Sequence, residues 1–252
     1  MFVASGSRFM NPSPARGATP AASPVIAPLS SLAGFDPRLV PVRCVDAHLP
    51  VVPPEAQTPQ ALRARFANPP PWEPEVVLER KFIERAPARA SVLLAIVLRE
   101  QPMVLLTERT AHLSTHSGQV AFPGGRADPQ DASATDTALR EAQEEVGLEP
   151  GFVEVLGTLS TYLTGSAFII TPVVGLVQPG CVLRPNPCEV AQLFEVPLAF
   201  LLDPANHRRH VFDRDGVRRE WFSMPYQDGD KNHYIWGATA GMLRNFYRFM
   251  RA

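Results

Sequence analysis

The sequence predicts an α+β fold, and three observations carry that prediction. Apolar runs with the length and β-branched content of strands recur between residues 91 and 177. One helical segment interrupts them after a double glycine, and a second closes the chain. Sheet elements with so few intervening helices indicate an α+β protein or a mixed-sheet sandwich. Composition agrees: 45% of the residues are hydrophobic and 19% charged, which argues against global disorder. The 252 residues allow one large domain or two small ones.

Taken in order, residues 1 to about 50 mix Ala, Pro, Ser and Gly without a sustained period, and 15 of the 27 prolines fall at or before Pro74. Such a segment buries too little apolar surface to offset its ordering entropy, so residues 1–50 read as a flexible extension. Residues 51–88 read as an arm: Thr58-Pro59 is an N-cap followed by proline at the first helical position, and Asn68-Pro69-Pro70-Pro71 stops the short helix. From 89 to 252 the pattern is that of a compact domain. Ser91–Leu98 is a continuous apolar run, expected of a strand buried on both faces. A turn at 99–102 leads into Met103–Arg109, which suggests a hairpin. A helix is expected over 133–146 with Gly147 as its C-terminal cap. Strands follow near 152–160 and 167–177, then an arginine-rich turn over 207–219 and a last helix over 238–250.

Lys plus Arg total 24 against 25 Asp plus Glu, so wholesale neutralisation of nucleic-acid phosphates finds no support. The cysteines Cys44, Cys181 and Cys188 are scattered and form no CxxC pair, which favours free thiols in a reducing cytoplasm over a zinc site. No apolar run approaches the roughly 18 residues of a membrane span, and residues 1–10 lack the pattern of a signal peptide.

The informative stretch runs from Gly124 to Leu148. Glu141, Glu144 and Glu145 stand at i, i+3 and i+4, so they share one helical face. Leu139, Ala142 and Val146 occupy the roughly opposite face, expected to pack on the sheet. Seven acids and two arginines lie between Arg126 and Glu149. Three converging carboxylates repel one another, and a hard divalent cation turns that repulsion into a site. A solvated acidic face is the ordinary explanation of such a cluster. The setting raises the second reading, because the backbone of Gly124-Gly125 permits close approach of a ligand and offers a carbonyl. Arg140 can pair with and orient the neighbouring carboxylate.

These residues resemble the Nudix box: Gly125, then Arg140-Glu141-Ala142-Gln143-Glu144-Glu145-Val146-Gly147-Leu148. Asp131 stands where the box has its first glutamate, with eight residues rather than seven between it and Arg140. That expansion is shared by the coenzyme A pyrophosphatases, whose upstream signature is also similar to Leu105-Leu106-Thr107-Glu108-Arg109, Gly118 and Phe122-Pro123-Gly124-Gly125. Thr110 departs from it mildly, and Ser114 stands in place of its second arginine. The resemblance covers residues 58 to 250.

It implies an α/β/α sandwich with a mixed sheet and the box helix, preceded by the proline-rich extension. It further implies Mg²⁺- or Mn²⁺-dependent cleavage of coenzyme A, or a derivative, into 3′,5′-ADP and 4′-phosphopantetheine or its acyl form. Glu141 and Glu145 are then the first metal ligands, with the Gly125 carbonyl, and Glu144 is a third ligand or the general base. Glu189 is an alternative base. Arg109, Gly124 and Arg140 are the substrate-contacting candidates, while Tyr162 and Phe168 are placed in the sheet core or on the surface ahead of a stacking role. The arginine-rich turn reads first as a solvated hairpin tip and second as a phosphate contact. A Nudix hydrolase of another nucleotide such as ADP-ribose is the second reading, motivated by Ser114. A silent ligand-binding module is the third. The expected partners are a small-molecule substrate and at most a second copy of the chain, with no nucleic acid or membrane, in the cytoplasm.

Overall fold

The computed structural model describes residues 35–79, 86–110, 118–214 and 217–252. Ser114 and His116 lie outside the described residues, as does the chain before Phe35. The principal sheet is built on β2 (Ala88–Leu98), which pairs antiparallel with β3 (Pro102–Arg109) and parallel with β8 (Phe168–Val177). Its strand order is β4 (Val120–Ala121), β3, β2, β8, β6 (Val153–Thr158). Three further strands attach to it: β5 (Gly124–Arg126) on β2, β7 (Tyr162–Leu163) on β8 and β9 (Val190–Pro197) on β3. Parallel and antiparallel pairing together make the sheet mixed.

The apolar run in β2 is buried on both faces, as its composition requires. Leu93, Ala95 and Val97 point to one side, where they meet Ala138, Ala142 and Val146 of α2 (Ala134–Val146). Leu94 and Ile96 point to the other, into a core shared with Leu243, Phe246 and Phe249 of α4 (Gly237–Arg251). Two apolar layers on one strand set a helix against each face, the α/β/α sandwich the family resemblance implies. The ends of α2 follow local chemistry. The Ser133 hydroxyl accepts from the Asp136 amide, and Gly147 closes the helix in the left-handed region at φ 67°. Between β9 and the next strands lies the one-turn helix α3 (Leu198–Leu201). Among the described residues no helix is long and apolar enough to cross a membrane.

A second, four-stranded antiparallel sheet runs β1 (Val42–Val45), β10 (Arg208–Arg214), β11 (Val217–Asp228), β12 (Lys231–Trp236). Two sequence expectations change here. The segment 207–219 is more than a solvated hairpin tip: β10 and β11 are paired strands with exposed Arg208, Arg214 and Arg218, but His210 is buried and Arg209 is held by carboxylates. Residues 35–50, read as part of a flexible extension, are placed on the domain. The Phe35 ring meets Phe212 edge-on at 5.3 Å, and β1 hydrogen-bonds to β10. The physical reason is a buried charge cluster. Asp46 and Glu75 both accept from Arg209 and Arg244, the latter only 1% exposed. Each carboxylate is held below its usual range by these guanidinium contacts, which outweigh its burial.

The arm 51–79 is tied down at several points. Helix α1 (Pro59–Ala67) starts with Thr58 accepting the Ala61 amide, and buries Leu62. Arg63 makes a two-pronged pair with Glu154 at 2.7 Å, while the Asn245 amide binds the backbone of Glu75 and Val76.

Candidate active site

The site forms where β5 passes the exposed face of α2. Gly124 lies so close to β2 that a side chain there would strike the Ser91 carbonyl and Val92 Cα. That proximity lets the Gly124 amide point at the helix, where it donates to Glu145 Oε2 at 3.0 Å. On its other oxygen, Glu145 faces Arg109 Nη1 at 3.5 Å. Glu145 is 4% exposed, and burial pushes its carboxyl up to about 7 despite both contacts. At Gly125 a Cβ would fall on the Glu141 carboxylate, so only glycine leaves room for that group beside the loop. Glu141 is also raised by burial, against the pull of Arg140.

Arg140 uses all five of its N–H donors inside this cluster. Nε and Nη2 grip Asp131 at 3.0 and 2.9 Å; Nη1 reaches Glu141 and Glu144 at 3.0 and 3.1 Å; Nη2 also donates to the Arg126 carbonyl at 3.1 Å. With every donor on a protein oxygen, Arg140 positions the carboxylates around it. Asp131, the shortened and displaced first acid, takes its part fully. It accepts from Arg140, from the Thr137 hydroxyl and from the Asp128 amide, and these bonds hold its carboxyl far below the usual range.

The three glutamates share a face but not a point. Glu144 turns outward onto Arg140 with its side chain 59% exposed, and among the described residues no three His, Cys, Asp or Glu side chains are grouped to hold an ion as they stand. The donor set nonetheless suits a hard divalent cation. It is all oxygen, and Glu145 is a buried carboxylate whose charge Arg109 and one amide do not fully compensate.

Glu189 sits on the loop before β9, half-buried, with Asn186 Nδ2 donating to it at 3.3 Å. Its charge raises both Glu141 and Glu145, which places it electrostatically at the same site. Position follows from the loop's anchorage: the amides of Arg184 and Asn186 bond to the last carbonyls of α2, and the Glu189 carbonyl accepts the Thr110 amide. Asn186 and Thr137 escaped the sequence reading, since neither residue type is distinctive outside the folded context.

A cleft of about 910 Å³ opens beside Gly124, Gly125 and Arg109. Its far side is the second sheet, including Arg43, Arg218 and Trp221, and Trp236 borders it as well. Tyr162 is buried, as expected; its hydroxyl donates to Glu79 at 2.8 Å. Phe168 is partly exposed and lines the cleft. The contributions of residues 43 and 75–79 to the cleft carry no local sequence signal.

The NUDIX domain family matches residues 87–222. A protein named uncharacterized Nudix hydrolase NudL from Photorhabdus laumondii is 45% identical over 154 residues, covering 61% of this chain and 80% of that one. A protein of the same name from Yersinia pestis is 40% identical over 181 residues, covering 72% and 89%. Among solved structures, an Ap4A hydrolase binary complex from C. elegans matches 47% of this chain and 85% of that one, at 18% identity and a TM-score of 0.38.

Proposed function

Since the chain belongs to the NUDIX family and is a pyrophosphohydrolase of nucleoside diphosphate derivatives, we propose that its substrate is coenzyme A or an acyl derivative. The products would be 3′,5′-ADP and 4′-phosphopantetheine or its acyl form. The observation that carries this choice is the join of the Leu105–Arg109 and Phe122–Gly125 segments to the expanded box. In the fold these segments meet at the Arg109–Glu145–Gly124 contact. A cleft of about 910 Å³ also lies near the top of the range for small-molecule sites, with room for more than a mononucleotide.

In this reading Glu145, Glu141 and the Gly125 carbonyl hold Mg²⁺ or Mn²⁺, with Glu144 able to swing in from its exposed position. Such an ion, when bound, neutralises the diphosphate and lowers the pKa of a bound water. The chain's own residues do the rest. Arg140, clamped by Asp131, keeps Glu141 and Glu144 on one side of the loop. Arg109 leaves Glu145 to bind a phosphate oxygen. Glu189 or Glu144 accepts the proton of the attacking water; Glu189 is favoured because its charge acts on both Glu141 and Glu145. We place the enzyme in the cytoplasm, since Cys44, Cys181 and Cys188 are all unpaired thiols.

The test is a substrate panel: kcat/KM for coenzyme A, acetyl-coenzyme A, ADP-ribose and dinucleoside polyphosphates with each metal. Coenzyme A forms are expected to lead. A clear preference for ADP-ribose would select the second reading, and turnover of none would point to a ligand-binding module.

A further inference from the structure

The cleft has two walls of different character. One is β5 with the carboxylates of α2 behind it. The other is the second sheet, where Arg43 of β1 and Arg218 of β11 face the same space. The charges along this cleft are mostly spoken for. Arg209 is held by Asp46 and Glu75, and Glu75 is held in turn by Arg244. Glu79 accepts from the Tyr162 hydroxyl and the Gly165 amide. Arg218 has the exposed Glu220 at 2.6 Å, a surface pair of little energetic consequence.

Arg43 is different. Among the described residues no carboxylate lies within ion-pair distance of it. It sits in the irregular stretch of β1, where the register against β10 shifts between Val42 and Cys44. The far wall therefore presents one uncompensated guanidinium and a second that is only weakly engaged. Both lie across a deep cleft from the place where a diphosphate is cleaved. Guanidinium groups bind phosphate oxygens in two-pronged fashion, and a phosphomonoester dianion satisfies more of their donors than any neutral group.

We propose that Arg43 and Arg218 form a subsite for a phosphomonoester on the substrate, separate from the diphosphate under attack. This deepens the coenzyme A reading and rests on it, since that substrate carries such a group on its ribose. It also gives the β1 segment, which precedes the family match at residue 87, a part in substrate choice.

The test separates this inference from the reading beneath it. Binding of 3′,5′-ADP and of 5′-AMP is measured by calorimetry for the full chain, for Arg43→Ala, for Arg218→Ala and for the double variant. The wild type is expected to bind 3′,5′-ADP at least about tenfold more tightly than 5′-AMP, the scale of one charge-assisted contact. The double variant should lose that preference while its affinity for 5′-AMP stays the same. A wild type without preference, or a double variant that keeps it, overturns the subsite. If the preference is present and lost as expected but coenzyme A is not hydrolysed, the subsite stands and the coenzyme A reading falls.

Discussion

The Gly124 amide donates to the Glu145 carboxylate at 3.0 Å, joining the start of β5 to a glutamate 21 residues later. Arg109 approaches the other oxygen of the same carboxylate at 3.5 Å. Two segments separated in the chain thus meet on one buried acid. Glu145→Gln keeps the shape and the amide bond but removes the charge. Turnover should fall by about 100-fold or more, the scale of one preorganised electrostatic contact. Thermal stability should hold or rise, because a poorly compensated buried charge is gone. Rate and melting temperature measured together check this, and wild-type turnover would refute the metal-ligand role.

Gly125→Ala should act through Glu141. The added methyl falls on the Glu141 carboxylate, which must move. A displacement of about 1 Å in a reacting constellation costs on the order of 10²-fold in rate. The expected readout is a lower kcat and a higher metal requirement, with little change in the melting temperature.

Arg140→Lys should cost 10- to 100-fold, roughly the effect of losing a group that orients ligands. Lysine keeps the charge but cannot span Asp131, Glu141, Glu144 and the Arg126 carbonyl at once. Raising the metal concentration should recover part of the lost rate, since the defect is in carboxylate position. No recovery at saturating metal would argue that Arg140 acts elsewhere.

Arg244→Ala should destabilise by about 3–5 kcal/mol, because it leaves Asp46 and Glu75 short of a buried partner. Urea unfolding measures the loss. A change below about 1 kcal/mol would mean that solvent replaces the guanidinium readily.

His207 supplies a pH dependence. Its Nε2 bonds to the Leu201 carbonyl and its Nδ1 faces the Arg244 guanidinium, so the neutral ring is preferred. Burial is the main cause and pushes its pKa down to about 4, with Arg244 adding to the shift. Between about pH 4 and 6.5 the unfolded chain binds a proton that the folded chain refuses, so stability falls on acidification by up to about 1.4 kcal/mol per pH unit. Glu145 has the opposite sign, since its raised carboxyl favours the folded state at low pH. The check is therefore a difference: from pH 6.5 to 4, His207→Gln should lose less stability than the wild type. Parallel curves would show that the ring does not titrate as expected.

Much of this site is local in the chain and was readable there. Ser133 and Gly147 bound the box helix by capping chemistry, and the spacing of Glu141, Glu144 and Glu145 set their common face. The double run of apolar residues in β2 announced a strand buried on both sides. What stayed hidden depends on contacts distant in sequence. Asp46 meets Arg209 across 163 positions, and Asn245 grips the backbone of Glu75 across 170; no periodicity records either. That is why residues 35–50 looked flexible although Phe35 and β1 dock on the second sheet. The full role of Arg140 was hidden for a related reason: only the fold shows that its five donors all meet protein oxygens.

The most direct measurement is product identification by mass spectrometry after incubation with coenzyme A and Mn²⁺ or Mg²⁺, for the wild type and Glu145→Gln side by side. The wild type should release 3′,5′-ADP and 4′-phosphopantetheine, dependent on the metal, and the variant should release almost none. Intact coenzyme A in the presence of active enzyme, or equal product from both proteins, would contradict the proposed substrate and the proposed site respectively.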